Sequence, residues 1–246
     1  MVECTWCFLR GRYHHLMAPV SEPSDITPVA AIETQDRVVG KLFAVLLAGE
    51  FAAFHRLIEE SAMAPDVSSK IAIARMAASE VGHFDRLAER VETMTGLTAA
   101  EAVERYRSVF DQYHRATTPK TWYEALVKAY VGDGLASDFY VELSDMLPPD
   151  SRTVMAEVMA ETANSAFARE QVRAAVEADP SIKSALVLWG RRLLGEAITH
   201  AQWVLAAEEE VTDLLFSGAS SLSGVAHFFD AVAAKHAERM ADLGLD

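Results

Sequence analysis

Helix-start and helix-stop signals divide most of this chain into long stretches in which apolar residues recur with a helical period, and this pattern strongly limits the possible folds. Two Thr-x-x-Glu sequences, Thr98 to Glu101 and Thr121 to Glu124, are capping boxes that begin helices. Prolines that interrupt the helical repeat stand at positions 65, 119, 148, 149 and 180. No stretch alternates convincingly between polar and apolar residues, as a half-buried strand does. The sequence therefore predicts an all-α protein whose long helices pack as one bundle.

The caps, glycines and prolines set approximate bounds for seven predicted helices, of which the first begins at Pro28 or Ile32. These helices are expected at about 28–63, 67–95, 98–114, 121–147, 151–178, 182–216 and 222–243. A chain of 246 residues is long enough to bury a core without disulfides. We therefore expect one helical domain over residues 28–246, preceded by an irregular or disordered segment over residues 1–27.

The first 16 residues differ from the rest, because they show no helical period and contain both cysteines, Cys4 and Cys7. A single Cys-x-x-Cys pair is only a weak indication of zinc binding or redox chemistry. A polar lead-in follows Met17, so we hypothesise that Met17 is the native start and that residues 1–16 come from an upstream start. The N-terminus has no apolar signal-peptide core. The longest charge-free run, residues 214–229, is too short and too polar to span a bilayer, so we expect a cytoplasmic protein.

The charge balance is strongly acidic, with a net charge of −14 from 22 basic and 36 acidic residues. Such a balance opposes broad contact with nucleic-acid phosphates and with anionic membranes. It therefore disfavours nucleic acid as a partner and gives no indication of membrane binding. The oligomeric state does not follow from it.

Charged residues interrupt the apolar stripes of the first two predicted helices. Glu80 and His83, in the sequence Glu80-Val-Gly-His83, lie three apart on the stripe of the second helix and point the same way. Glu50 is the only charged member of the stripe of the first helix. A buried carboxylate without a partner is costly, so these residues predict a metal ion, a buried hydrogen-bonded pair, or a helix face that is exposed to water after all. A Glu-x-x-His sequence by itself is common on helices and does not decide among the three.

The second half of the chain repeats this arrangement. Asp133 lies on an inward stripe of the fourth predicted helix, and Glu161-Thr-Ala-Asn164 lies on the fifth. Glu80 follows Glu50 by 30 residues, and Glu161 follows Asp133 by 28. Two helix pairs with matching spacing predict one site at a pseudo-twofold axis.

Residues from about 30 to 215 resemble the ferritin-like superfamily and, more narrowly, the tRNA hydroxylases that act on methylthio-isopentenyl-adenosine and their bacterial relatives (MiaE-like). The segments that carry the resemblance are Ala48 to Glu50, Ala78 to Phe84, Gly132 to Phe139, and Glu161-x-x-Asn164. The resemblance implies a ferritin-like four-helix bundle with additional helices. It also implies a non-haem di-iron centre that uses dioxygen to hydroxylate an unactivated carbon.

The resemblance assigns three metal ligands to the first half of the chain. Glu50 would be a terminal or bridging ligand, Glu80 would bridge, and His83 would bind one iron through an imidazole nitrogen. In bundles of this type, two helices each supply one Glu and two others each supply Glu-x-x-His.

The second half departs from that pattern at two positions. Glu161 would be the second bridging ligand, but Asn164 stands where the second His is expected, and an amide is a much weaker iron ligand than an imidazole. Asp133 replaces a Glu and is one methylene shorter, and Asp138 is a competing candidate at a different angle. These departures leave both a di-iron and a single-iron centre open.

Two functions are therefore compatible with the sequence. One is an iron-dependent monooxygenase that takes dioxygen and an unidentified substrate, for which tRNA is disfavoured by the net charge. The other is a bundle that has lost its di-iron centre and acts as a scaffold or binding protein.

Other polar residues have plainer interpretations. Tyr130 and Tyr140 share a face with Asp133 and are expected to be core aromatics rather than redox groups. Asp111-x-x-His114 is expected on the surface, and Glu196 with His200 is expected to be a local i,i+4 pair.

Overall fold

The structure is a computed structural model that describes the backbone of residues 29–159, 165–216 and 221–246. Within these ranges every long element is an α-helix, which confirms the all-α prediction. The helices are α1 (Val29–Glu60), α2 (Val67–Thr95), α3 (Ala99–Ala116), α4 (Trp122–Ser144), α5 (Pro149–Met159), α6 (Ala166–Ala178), α7 (Lys183–Ala207), α8 (Glu209–Phe216) and α9 (Ser221–Asp242). Short 3-10 turns follow α1 at Ser61–Met63 and precede α7 at Pro180–Ile182. The predictions for residues 1–27 lie outside the described residues.

Local capping interactions explain where several helices begin and end. The Asp66 side chain accepts a hydrogen bond from the Ser69 N–H at 2.8 Å and begins α2. Gly96 ends the same helix with a positive φ of 72°, a conformation that glycine adopts without steric cost. The predicted capping box at Thr98 is present, and the Thr121 hydroxyl accepts a hydrogen bond from the Glu124 N–H. The predicted bounds of the first four helices are therefore confirmed to within a few residues.

The long sixth predicted helix, 182–216, is wrong because α7 and α8 are separate helices. Glu208, with φ −115° and ψ 74°, interrupts them. Its buried carboxylate accepts hydrogen bonds from Arg105 at 2.7 Å and from the Tyr106 hydroxyl at 2.9 Å. These tertiary contacts fix the position of Glu208 at the break. The fifth predicted helix, 151–178, corresponds to α5 and α6, and the junction between them lies outside the described residues.

The central helices form an antiparallel bundle around α1. Gly40 of α1 lies against Met94 and Thr95 near the end of α2, whereas Glu50 meets residues in the middle of α2. Helix α4 also runs antiparallel to α1, because Lys128 pairs with Glu60. Helix α5 packs against α2 and α4, and α6 packs against α4, so together they supply the fourth side of the bundle. The predicted bundle with additional helices is confirmed, with α3, α7, α8 and α9 packed around it.

The apolar core consists of two clusters, and the charged residues of α1 and α2 lie between them. Phe43 and Leu47 of α1 belong to the first cluster, whereas Leu57 of the same helix belongs to the second. On α2 the order is reversed, with Ile73 in the second cluster and Leu87 in the first. Antiparallel packing therefore places the middle of both helices at the junction of the two clusters.

Helix α1 is apolar enough to raise the question of membrane insertion. Residues Gln35–Met63 are long and apolar enough by length and composition to cross a membrane. However, 56% of the most apolar part of this segment is buried inside the protein. This burial is typical of the core helix of a soluble helical domain, which is how α1 packs here.

Candidate metal centre

Two carboxylates and one imidazole converge at the junction of the two core clusters. The candidate ligand atoms of Glu50, Glu80 and His83 all lie within 4.8 Å of one another. His83 Nδ1 lies 3.2 Å from Glu50 Oε2 and 3.7 Å from Glu80 Oε2. All three residues are buried, with exposures between 5% and 8%. The structure therefore brings together the three residues that the sequence selected from the first two helices.

The helices place these groups by simple geometry. Glu80 and His83 are three residues apart on α2, so their side chains lie on one face of that helix. The antiparallel crossing of α1 then brings Glu50 opposite that face. From α4, the Tyr140 hydroxyl donates a hydrogen bond to Glu50 Oε1 and fixes the second oxygen of that carboxylate. Three helices thus orient one cluster.

The electrostatics of this triad favour bound protons when no cation is present. Burial, together with the adjacent Glu50, raises the pKa of Glu80 to about 8. Burial opposes protonation of His83, but hydrogen bonds and charge interactions with Glu50 and Glu80 raise its pKa to about 10. Burial would also raise the pKa of Glu50, yet hydrogen bonds with His83, Glu80 and Tyr140 bring it below its usual value. At neutral pH, one ionised carboxylate and one imidazolium balance each other, and Glu80 keeps its proton.

This donor set fits a metal ion. A divalent cation would replace the two protons held by Glu80 and His83, because metal ligands must be deprotonated. Two ligands about 2.1 Å from one ion and at right angles lie about 3 Å apart, close to the 3.2 Å between His83 Nδ1 and Glu50 Oε2. One imidazole with carboxylates is also the donor set that each iron receives in di-iron bundles. Glu50, Glu80 and His83 could therefore hold one metal ion.

The two aspartates of α4 have different surroundings. Asp133 lines the same cavity as the triad, where burial raises its pKa to about 6 in spite of a hydrogen bond with Ser165. Asp138 is turned towards α9 and forms a 2.6 Å ion pair with Arg239. Among the described residues, neither belongs to the set of ligand atoms within 4.8 Å of one another. Of the two, only Asp133 shares the cavity with the triad. The candidate ligands Glu161 and Asn164 lie outside the described residues.

The packing confirms one secondary interpretation of the sequence and corrects another: Tyr140 is a buried core aromatic. Tyr140 contacts the triad, whereas Tyr130 donates a hydrogen bond to Asp242 instead. The expectation that His114 lies on the surface is wrong, because its exposure is only 7%. No local sequence pattern indicated the burial of His114, because the residues near it lie on helices that are distant along the chain.

A large apolar cavity adjoins the triad, and the sequence did not predict it. Its volume is about 300 Å³. Along α1 its walls extend from Leu42 to Glu60, which corresponds to about 27 Å of helix. Most of the residues that line it are apolar, including Leu57, Met76 and Phe228. The cavity arises where helices from several parts of the chain, from α1 to α9, leave space between them, so no single segment encodes it.

Comparison with protein families places the fold in a known group. A family model described as a ferritin-like domain of actinomycetes matches residues 33–218. A search of proteins with curated descriptions found no match to this chain. The family match confirms the resemblance to the ferritin-like superfamily. The narrower resemblance to the tRNA hydroxylases stays a prediction.

Proposed function

Because the chain belongs to the ferritin-like domain family of actinomycetes, we propose that it is an iron-dependent oxidoreductase that hydroxylates an apolar substrate. The observation that carries this proposal is the convergence of Glu50, Glu80 and His83 beside a large apolar cavity. A carboxylate and imidazole donor set suits iron, and the apolar walls suit a substrate whose carbon–hydrogen bonds are unactivated.

In this proposal, Glu50, Glu80 and His83 hold one iron, and Asp133 faces a second position. Bound iron would supply the activation of dioxygen, with an external two-electron donor and two protons completing the conversion of a C–H bond to C–OH and water. Asp133 is the described residue of α4 that shares the cavity with the triad. Occupation of the second position also depends on Glu161 and Asn164.

The residues around the triad would orient the ligands and exclude water. Burial, together with the nearby charge of Glu50, raises the pKa of Tyr140 well above its usual value. Its hydroxyl therefore keeps its proton and holds Glu50 in one orientation. Leu143 and Phe139 line the cavity close to Tyr140 in sequence and limit the access of bulk water.

We also propose a small apolar substrate rather than tRNA, and a cytoplasmic location. The cavity lies among the helices of the domain, where only a small molecule or an inserted chain could reach the triad. The net charge of −14 also opposes the approach of a polyanion.

One observation favours the alternative of a non-catalytic bundle. The hydrogen bonds of Glu50 with His83 and Tyr140 satisfy its carboxylate without any metal. A buried polar network of this kind can serve the fold alone. Measurement of metal content separates the two functions.

The test is iron loading of the purified protein under argon, followed by removal of free iron, metal analysis and optical spectroscopy. We expect about one to two irons per chain for the natural protein and a loss of at least roughly tenfold for Glu80→Ala. Glu89→Ala is the matched control, because Glu89 is an exposed residue of the same helix and should leave iron content unchanged. Iron below about a tenth of an equivalent, with no change in Glu80→Ala, would refute the enzyme and favour the scaffold.

A further inference from the structure

The cavity ends in a second cluster of polar residues, about 15 Å along α1 from the candidate metal centre, which the proposed function does not use. The cluster consists of Glu60, His114, Lys128 and His200, all of which line the cavity. His114 and His200 are each 7% exposed, and Lys128 is 5% exposed. Polar groups at this depth require partners, so the hydrogen bonds of each one are informative.

Two imidazole nitrogens in this cluster have no partner among the described residues. His200 Nδ1 lies 2.7 Å from the Glu196 carbonyl oxygen, so Nδ1 carries the hydrogen and donates it. His200 Nε2 is then left with a lone pair, and it is buried without a hydrogen-bond partner. His114 Nδ1 is buried and unpartnered as well. Two unsatisfied nitrogens in residues that line one cavity offer hydrogen-bonding positions for a ligand at this end.

The charges around the cluster determine which polar group of a ligand can bind there. Lys128 Nζ and Glu60 Oε1 form an ion pair at 2.5 Å, so these two charges already balance. Burial, reinforced by Lys128, Arg56 and His200, lowers the pKa of His114 to about 2 and keeps its imidazole neutral. The charges of Lys128 and Arg56 oppose a cationic group on a ligand. The lone pair of His200 Nε2 opposes a carboxylate and favours a group that donates a hydrogen bond.

An uncharged hydroxyl meets all of these requirements. It can donate its one hydrogen to His200 Nε2, and its two lone pairs can accept hydrogens from the Lys128 ammonium and from His114 Nδ1 in the tautomer that carries a hydrogen there. It also enters the cavity without the desolvation cost of a charge. The walls between this cluster and the metal centre are apolar, with Ala53, Leu57 and Met76 among them. They suit an aliphatic chain.

We propose that the cavity binds a linear aliphatic alcohol, with its hydroxyl at His114, His200 and Lys128 and its chain directed towards Glu50. The separation of Glu60 and Glu50 along α1 is about 15 Å, the reach of an alkyl chain of roughly ten to twelve carbons. The inference rests on the proposed function in one respect: it names the substrate class of that site. Binding itself does not require iron, so it is measured independently.

The first test is calorimetric titration of the metal-free protein with decan-1-ol, decanoate and decylammonium. Decan-1-ol is expected to bind most tightly of the three. His114→Phe and His200→Phe keep a ring of similar size and remove the nitrogens, and each should weaken decan-1-ol binding about fivefold to tenfold. His227→Phe is the matched control, because His227 is exposed and should not affect binding. Circular dichroism and thermal melting establish that each variant is folded.

A second test locates the chain within the cavity. Ala53 lies on the cavity wall between the polar cluster and Glu50. Ala53→Leu should weaken binding of decan-1-ol while leaving hexan-1-ol nearly unchanged, because only the longer chain extends past position 53. Equal effects on the two alcohols would contradict the proposed orientation.

The outcomes separate this inference from the proposed function. Absence of decan-1-ol binding, tighter binding of decanoate, or histidine variants that bind like the natural protein would each overturn the ligand proposal. If iron fails to bind but decan-1-ol binding depends on His114 and His200, the enzyme is refuted and the ligand site stands. If iron binds through Glu80 but decan-1-ol does not bind, the metal centre stands and the substrate class is wrong.

Discussion

The metal-free protein should lose stability as the pH rises from 6.5 to 8, because two groups of the candidate metal centre hold protons more tightly when folded than when unfolded. The folded pKa of Glu80 is about 8, against 4.5 for an ordinary glutamate side chain, chiefly through burial. That of His83 is about 10 against 6.5, because Glu50 and Glu80 outweigh the opposing effect of burial. The native state therefore binds more protons throughout this interval, and its stability must fall with rising pH.

The size of the effect follows from these pKa values. Over the pH range in which the unfolded form of a group has lost its proton and the folded form still holds it, the free energy of unfolding falls by about 1.4 kcal/mol per pH unit for that group. Both do so between pH 6.5 and 8, which gives at most about 4 kcal/mol over the interval. The melting temperature of a domain of this size changes by roughly 2–4 °C per kcal/mol of stability, so it should fall by up to about 15 °C. Burial lowers the pKa values of His114 and His236 to about 2 and about 4, so only their unfolded forms still release protons just above pH 6.5, which offsets the loss by less than about 1 kcal/mol.

The assay is differential scanning calorimetry of chelator-treated protein at pH 6.5 and pH 8. Glu80→Gln removes one of the two groups and should lose roughly half of the pH dependence. Glu89→Gln, an exposed substitution on the same helix, should retain all of it. Equal melting temperatures at the two pH values for the natural protein would refute the assigned protonation of the triad.

Three further predictions concern single contacts. Lys128→Met should destabilise the protein by about 3 kcal/mol, because it leaves Glu60 buried without its partner, whereas adding Glu60→Gln should recover much of the loss in urea denaturation. Asp138→Asn should lower stability by about 2–4 kcal/mol through loss of a buried ion pair and leave iron content unchanged. Asp133→Asn should lower iron content with little loss of stability. If instead Asp138→Asn lowered iron content and Asp133→Asn did not, Asp138 would be the metal ligand. Gly40→Ala should destabilise the crossing of α1 and α2 by roughly 1–3 kcal/mol, since the added Cβ would lie 2.5 Å from a methyl of α2, and thermal melting would show it.

The local features of the fold were predictable because they depend on residues close together in sequence. Thr98 and Glu101 form their capping box within one turn, and Gly96 ends α2 by its own backbone freedom. Glu80 and His83 share a face because they are three residues apart on a helix. Glu50 was expected to lie opposite these two residues because it is on the apolar stripe of the preceding helix, and consecutive helices usually pack against each other.

Features that depend on contacts between distant helices could not be predicted from the sequence. A helical period does not specify which neighbour a face meets, so it could not show that Asp138 pairs with Arg239 while Asp133 faces the cavity. The break at Glu208 depends on Arg105 and Tyr106 of α3, about a hundred residues earlier. The cavity and its buried imidazoles exist only because helices from several parts of the chain leave a space between them. Residue spacing along the chain was therefore enough to predict most of the helices and the triad of the first pair, whereas the surroundings of that triad follow from packing.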